Sequence, residues 1–529
     1  MQPAELALVL HAHLPFVRHP EHEFFLEENW LYEAITETYI PLLIVLEGLE
    51  RDGVPFELSM VLSPPLCEML DDELLRARYT RHLSLLQTLC EREAARVADN
   101  GHLSYLVAHY REHFANIADF WQRTGGDLLS AFGALQARGK LDILTCGATH
   151  GYLPLMQITP EAVHAQLAVA VDSYRRRFGR APSGIWLPEC AYYEGLDRML
   201  ADVGLRYFIA DTHGVLYATP RPRHGSFAPI FCRHSGVAVF ARDPDSSNEV
   251  WSRERGYPGD PVYRDFYRDI GFDLDAASLA PFDQPHGVAK HTGIKYHRIT
   301  GAGEHKELYD PYWAERRARE HARDFVYKRL AQTARVRSGD LYAPLVVAPY
   351  DAELFGHWWY EGPWWLDELF RRLPEHGDHL RATHLRSYLA RHATQQLAQP
   401  AQSSWGERGY HEYWLNDTNE WIYPRLTLAA ERMIALASRA VEPPPLEARA
   451  LTQAARELLL AQASDWAFIM RTKTTVDYAV RRTRTHLARF WRLADEIERG
   501  EIDEAWLSHV EHVDSCFQHL DYRVYARRH

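Results

Sequence analysis

Seven short apolar runs, at residues 6–10, 56–62, 141–146, 184–187, 207–210, 237–241 and 345–348, constrain this chain more than any other feature. Hydrophobicity that is nearly continuous over so few residues suits strands covered on both faces, as in a parallel sheet. Helical patterns lie between several of them, for example at 31–52 and at 161–178, the latter opened by Thr159 and Pro160. Strand alternating with helix leaves an α/β barrel or a doubly wound sheet. The residues just beyond each run separate the two. His11 and His13 come after the first, His150 after the third, Glu189 after the fourth, Asp211 and His213 after the fifth, Asp243 after the sixth and Asp351 after the seventh. A barrel gathers the loops at its strand C-termini over one site, whereas an open sheet spreads them along a line. Neither GxGxxG nor a P-loop is present to support a nucleotide-binding sheet. The barrel is expected.

The rest of the chain is helical or irregular. Residues from about 66 to 140 carry long amphipathic patterns and no strand run, too much for one crossover, and read as a helical insertion. The segment from about 243 to 345 is rich in Gly, Pro, Tyr and charge, with one long helix expected at 311–334. After about residue 400 the strands stop. "RLTLAAERMIALASRA" and "LEARALTQAARELLLAQA" both space their apolar residues by three and four. The expected organisation is therefore a barrel region over 1–400 and a helical domain over 401–529 that contributes to the substrate cleft.

A formal charge of −13 argues against nucleic acid or an anionic membrane as partner, and a neutral ligand fits more easily. Six scattered cysteines without CxxC spacing point to reduced thiols in a cytoplasmic protein. The N-terminal residues lack the basic flank and apolar core of a signal peptide, and no apolar run reaches membrane-spanning length. A monomer is expected.

The stretch "PLVVAPYDAELFGHWWYEGPWWLDELF" delivers Asp351, Glu353 and His357 into a cluster of tryptophans that begins with Trp358 and Trp359. Acids are expensive to bury and tryptophans expensive to expose, so the mixture asks for an explanation. "GIWLPECAYY" repeats the layout, with Glu189 leaving its strand after a proline in a shell of Trp186, Cys190, Tyr192 and Tyr193. Two carboxylates projected from different strands into an aromatic cleft are what glycosidic cleavage needs. One attacks or stabilises the anomeric centre while the other protonates the leaving oxygen. Aromatic faces such as those of Trp186, Trp358 and Trp359 stack on sugar rings, and polar groups such as His11, His13, His150, Asp211 and His357 bond the hydroxyls. A rival reading takes His11, His13 and Asp211 as ligands of a water-activating ion in a metal-dependent polysaccharide deacetylase. A third takes the tryptophans alone as a glycogen-binding surface.

Five segments, "HAHLPF" (11–16), "GATHGYLPL" (147–155), "GIWLPECAY" (184–192), "VAPYDAELFGHWWYEGPWWL" (347–366) and "SSWGERGYHEYWLNDTNEWIYPRL" (403–426), resemble in order the signature regions of glycoside hydrolase family 57. The C-terminal region, with "QASDWAFI" at 462–469, resembles that of the family's 1,4-α-glucan branching enzymes. The resemblance implies an incomplete, TIM-like (β/α)7 barrel and a retaining mechanism that needs no cofactor or metal. It implies Glu189 as nucleophile and Asp351 as general acid/base, with His11, His13, His150, Trp405, Trp414 and Asp465 lining the cleft. Tyr217 is the expected tyrosine at the tip of a covering loop. The implied substrate is an α-glucan such as amylose or glycogen, and the implied product carries α-1,6 branches. 4-α-Glucanotransferase and α-amylase share the first half of that reaction and stand as alternatives.

Overall fold

The seven runs become seven strands in this computed structural model, which describes residues 2–252, 256–280, 282, 288–301, 303, 305–336 and 343–527. They are β1 (Ala4–Ala12), β2 (Leu58–Leu62), β3 (Leu141–Leu144), β4 (Gly184–Trp186), β5 (Tyr207–Ala210), β6 (Ala238–Ala241) and β7 (Leu345–Asp351). β1 pairs in parallel with β2 on one side and with β7 on the other, the latter in register from Glu5 opposite Leu345 to His11 opposite Asp351. Parallel pairing continues from β2 to β3 and from β4 through β5 to β6. Between β3 and β4 Thr145 faces Ile185, with Thr145 N–H donating to Gly184 O (3.2 Å) and Trp186 N–H to Thr145 O (2.9 Å). At the last seam Asp243 N–H donates to Val347 O at 2.8 Å. The ring is closed but thin at these two seams, which is the incomplete barrel that the sequence leads one to expect.

Side chains alternate across each strand. Ala7, Val9, Trp186, Ile209, Phe240 and Val347 fill the barrel, while Leu6, Leu8 and Leu10 face outward into the main core beneath the helices. Both faces are therefore apolar, and this explains the unbroken hydrophobicity of the runs.

After α1 (Ile40–Arg51) and β2, the chain makes four helices before β3: α2 (Pro64–Asp71), α3 (Glu73–Arg96), α4 (Gly101–Thr124) and α5 (Leu128–Ala137). Their starts are written locally. Asp72, Asn100 and Asp127 each accept a hydrogen bond from a backbone N–H in the first turn of α3, α4 and α5. Gly125 ends α4 in the left-handed conformation, at φ 60°. α6 (Pro160–Phe178) precedes β4, α7 (Pro311–Val336) precedes β7, and α8 (Gly362–Arg372) comes after it. Parts of the segment 243–345 lie outside the described residues. The tail forms α9 (Ile422–Arg439), α10 (Pro445–Ala461), α11 (Ser464–Thr472), α12 (Val476–Arg499) and α13 (Glu504–Val513). Among the described residues no helix is long and apolar enough to cross a membrane.

The tail is fastened to the loop after β1. Arg18 bonds Asp72 (2.8 Å) and the carbonyls of His512 and Val513 (2.6 and 3.2 Å), Arg482 donates to Phe16 O (3.3 Å), and His19 bonds Tyr478 Oη (2.9 Å). Behind these contacts Glu457 and Asp514 are sealed from solvent, with His486 between them and Arg482 and Arg489 beside Asp514. Buried acids persist only when paired in this way. The docking brings the first residues of α11 to the barrel mouth, where Ser464 N–H donates to His150 O at 3.0 Å.

Candidate active site

Glu189 stands on a strained turn. β4 ends at Trp186, Pro188 comes two residues later, and Glu189 and Cys190 take φ values of 63° and 49°, while His150 takes 58°. Side chains with a Cβ avoid this region at a cost of about 1–3 kcal/mol each. Neighbours hold the turn in place: Cys190 N–H donates to Leu187 O (2.8 Å), and Trp405 N–H to Glu189 O (2.9 Å). The Glu189 carboxylate then accepts from Trp405 Nε1–H at 2.7 Å and from Ser464 Oγ–H at 2.9 Å.

Counting protons fixes the direction of a longer chain. Ser464 has a single hydroxyl proton and gives it to Glu189, so at its contact with His150 Nδ1 (2.8 Å) the serine oxygen accepts. His150 therefore carries its proton on Nδ1 and accepts at Nε2 from His11 Nε2–H, 3.1 Å away. His11 Nδ1, on the far side, is then the unprotonated nitrogen, and it has no hydrogen-bond partner among the described residues. Burial, with the neighbouring imidazoles, pushes the pKa of both His11 and His150 well below the ordinary histidine value, which keeps them neutral. A row of donors thus ends on the carboxylate of Glu189.

His13 differs. Burial opposes its charge, but the Asp465 carboxylate, 3.1 Å from Nε2, outweighs burial and raises its pKa. The three imidazoles stack, His13 on His150 at 3.9 Å between ring centroids, and His11 lies 4.7 Å from Trp186.

Asp351 ends β7 directly opposite His11, so the two acids face one mouth through the His11–Trp186 stack. Among the described residues no hydrogen bond reaches its carboxyl group. Burial raises its pKa well above the usual aspartate value, the charges of Glu353 and Glu189 add to the shift, and only Arg242 opposes it. Burial also lifts Glu189, to about 7, with the Trp405 and Ser464 hydrogen bonds and His13 pulling the other way. Near neutrality the proton sits on Asp351, because two hydrogen-bond donors favour the Glu189 carboxylate, while among the described residues Asp351 has only the charge of Arg242 to favour its ionised form.

The other expected residues divide. His11, His13, His150, Trp405 and Asp465 meet Glu189 or one another as described. Trp186 is sealed inside the barrel beneath His11 and is floor, not wall. Trp359 packs on Phe355, Trp365 and Tyr263, and Trp414 stacks on Tyr152 at 4.9 Å. Both are buried, so the sequence expectation that their faces meet sugar is corrected here: they back the wall. Trp358 is 52% exposed and lies over Phe266 (4.2 Å), and Trp405 is half-buried; these two keep accessible surface. His357 bonds Glu37 at 2.6 Å, and Glu37 in turn pairs with Arg264. Asp211 is tied to Thr212 N–H (2.6 Å) and Arg242 (3.4 Å), so it secures the cation that faces Asp351. Tyr217 is exposed, its ring beneath the Arg221 guanidinium.

The ion site of the rival reading does not assemble, since Asp211 is committed elsewhere. Among the described residues two sets of side chains near Glu189 have converging ligand atoms, His13 with His150 and Asp465, and His11 with Cys146 and His150; Asp211 is in neither, and the histidines and Asp465 make the hydrogen bonds given above. Residues that carried no weight in the sequence are Ser464, Arg242, and the pair Tyr39 and Ser63. Tyr39 Oη–H donates to Glu353 (2.5 Å) and Ser63 Oγ bonds His13 Nδ1 (2.9 Å). Ser464 adjoins the quoted Asp465 and was within reach of that motif. The others carry no signal in sequence.

Against known proteins, the sequence model described as "Glycosyl hydrolase family 57" matches residues 7–401, and "1,4-alpha-glucan branching enzyme, C-terminal" matches residues 425–525. The chain is 35% identical to the 1,4-alpha-glucan branching enzyme TK1436 of Thermococcus kodakarensis, over 97% of this chain and 77% of that one. Its structure is similar to the crystal structure of the α-amylase AmyC from Thermotoga maritima, with a TM-score of 0.94 and 44% identity over 100% of both chains. It is also similar to the family 57-type branching enzyme of Pyrococcus horikoshii, with a TM-score of 0.90 and 34% identity over 99% of this chain and 97% of that one.

Proposed function

This chain belongs to glycosyl hydrolase family 57, and on that premise we propose that it is a 1,4-α-glucan branching enzyme with Glu189 as nucleophile and Asp351 as general acid/base. The observation that carries the roles is the asymmetry of the two acids: two donors hold the Glu189 carboxylate, and among the described residues no hydrogen bond reaches that of Asp351. Ionised Glu189 attacks the anomeric carbon of an α-1,4-glucan, forming the C1–Oε bond as C1–O4 breaks, and Asp351 delivers its proton to the departing O4. Asp351, now charged, takes the proton from a 6-hydroxyl of a second glucan. That oxygen displaces Glu189 and an α-1,6 bond forms with the configuration retained. His11, His13, His150, Asp465 and the open faces of Trp358 and Trp405 hold the sugars. The match of residues 425–525 to the C-terminal region of branching enzymes supports transfer to a glucan over transfer to water.

The similarity to an α-amylase structure keeps a second reading, hydrolysis, in view. Amylose digestion followed by proton NMR separates them. Branching raises the α-1,6 anomeric signal while reducing ends stay nearly constant. Reducing ends without branches mean a hydrolase, and redistributed chain lengths without branches mean a 4-α-glucanotransferase. The same reading makes a glycogen-like glucan the product, a monomer the working unit and the cytoplasm the location. Six free, buried cysteines support the last of these.

The site also sets a pH dependence. Activity requires ionised Glu189, so kcat/KM falls as pH drops through the pKa near 7, and it falls again on the other side of the optimum, as rising pH takes the proton from Asp351, whose pKa burial raises. Trp405→Phe removes a donor that favours the carboxylate form. Its acid limb is expected at higher pH than the parent's, by about half a unit or more. An unmoved or lowered limb contradicts the assignment.

A further inference from the structure

We propose that a groove along α4, separate from the catalytic mouth, binds a segment of α-1,4-glucan; this rests on the substrate class just assigned and adds a site to it. His102, Tyr105, His109, Glu112 and Asn116 succeed one another on α4 at intervals of three or four, share one face, and all keep solvent-accessible surface. From Tyr105 to Asn116 the face runs about 16 Å at 1.5 Å per residue, room for several sugar rings.

Aromatic groups from elsewhere in the fold flank both ends of that face. At the first, His102 Nε2–H donates to Tyr309 O at 2.8 Å, and the Tyr105 hydroxyl interacts with the backbone of Tyr312. Tyr312 and Trp313 are 54% and 55% exposed with ring centroids 5.3 Å apart, and the Arg316 guanidinium braces both. At the other end a cavity of about 340 Å³ opens between α1, α4 and α8, lined by Ile44, His109, His113, Asn116, Tyr360 and Trp364 among others. Tyr360 Oη and His109 Nε2 are hydrogen-bonded at 2.7 Å, and Trp364 lies beside the same imidazole. His113 Nε2, sealed from solvent, has no hydrogen-bond partner among the described residues.

The chemistry selects a neutral, hydroxyl-rich ligand with apolar faces. Exposed indole and phenol surface of this extent marks a binding surface. Burial, with the nearby Arg264 charge, holds His109 and His113 near pKa 4 and 3, so neither is a cation at neutral pH; Arg264 itself is buried and paired with Glu37, and Glu112 adds an exposed negative charge to the groove. Phosphate and nucleic acid are disfavoured. Stacking rings with amide, imidazole and carboxylate groups at their edges are what a glucan needs.

The test uses the full chain in native gels containing amylopectin, alongside kcat/KM on maltoheptaose, for the parent, Trp313→Ala, Trp364→Ala and the double variant. The expected result is a dissociation constant for amylopectin raised about 5-fold or more in the double variant, from the loss of two stacking rings, with kcat/KM on maltoheptaose within twofold of the parent. Unchanged retardation overturns the proposal. So does an equal loss on maltoheptaose, which would trace the effect to the catalytic mouth, and so does self-association that depends on Trp313 without any change in retardation. Should Trp364→Ala fail to fold, Trp313→Ala and Tyr105→Ala, at residues about half exposed, decide the matter. Failure of the functional reading appears separately, as a parent enzyme that makes no α-1,6 bonds.

Discussion

Glu189→Gln is expected to lower cleavage of α-1,4-glucan by roughly 10⁴-fold, with melting temperature and amylopectin binding close to the parent's. Trp405 and Ser464 reach different oxygens of Glu189, so glutamine keeps one acceptor for Trp405 Nε1–H and turns its amide N–H toward Ser464 Oγ, whose hydroxyl can rotate to His150; the strained turn keeps partners on both sides. What is lost is the charge that attacks the anomeric carbon. The smaller variant Glu189→Ala sharpens the test. With α-maltosyl fluoride as donor and azide supplied in solution, azide occupies the place of the lost carboxylate and attacks the face that Glu189 would attack. The product is then β-maltosyl azide, of inverted configuration. A variant that keeps more than about one hundredth of parental activity, or an azide product of α configuration, removes Glu189 from the attacking role.

The strength of this expectation comes from contacts that sequence could not supply. The positions of the acids are legible: strands with both faces covered must be apolar throughout, so the first charged residue beyond each run marks the barrel mouth. Glu189 and Asp351 stand out for that reason. Their different protonation is not legible, because it depends on contacts such as that of Ser464, which is 275 residues from Glu189 in the chain. The positive φ at Glu189 is equally silent, since nothing about the letters P-E-C announces a left-handed turn. Tryptophans mislead in the opposite direction. Trp358 and Trp359 are neighbours in one motif, yet one lies in solvent over Phe266 and the other is packed in the core. Which side of a loop faces substrate is decided by tertiary packing, and an aromatic-rich motif does not encode it. Tyr217 belongs with these: it is exposed after β5 with its ring beneath the Arg221 guanidinium, a placement its letters do not announce.

Asp351→Ala should give the second large effect, one that depends on the leaving group. Cleavage of amylose needs a proton on O4, and without Asp351 it is expected to fall about 10³-fold. α-Maltosyl fluoride needs no such proton, because fluoride leaves unaided, so the same variant should form its glycosyl-enzyme from the fluoride at a rate within about tenfold of the parent's. The intermediate then waits, since the base that activates the acceptor has also gone. Azide, which needs no base, should release it by attack on the face opposite Glu189, giving α-maltosyl azide of retained configuration. The opposite configurations from the two alanine variants place one carboxylate on each side of the anomeric carbon. The burial and neighbouring acids that hold the proton on Asp351 make the same point electrostatically: Glu353 and Glu189 are the two charges that raise its pKa, and Arg242, anchored by Asp211, is the one that limits the rise. An Asp351→Ala enzyme equally impaired on amylose and on the fluoride would mean that the proton at residue 351 is not the one delivered to the leaving oxygen, and the division of labour between the two acids would have to be reversed or abandoned.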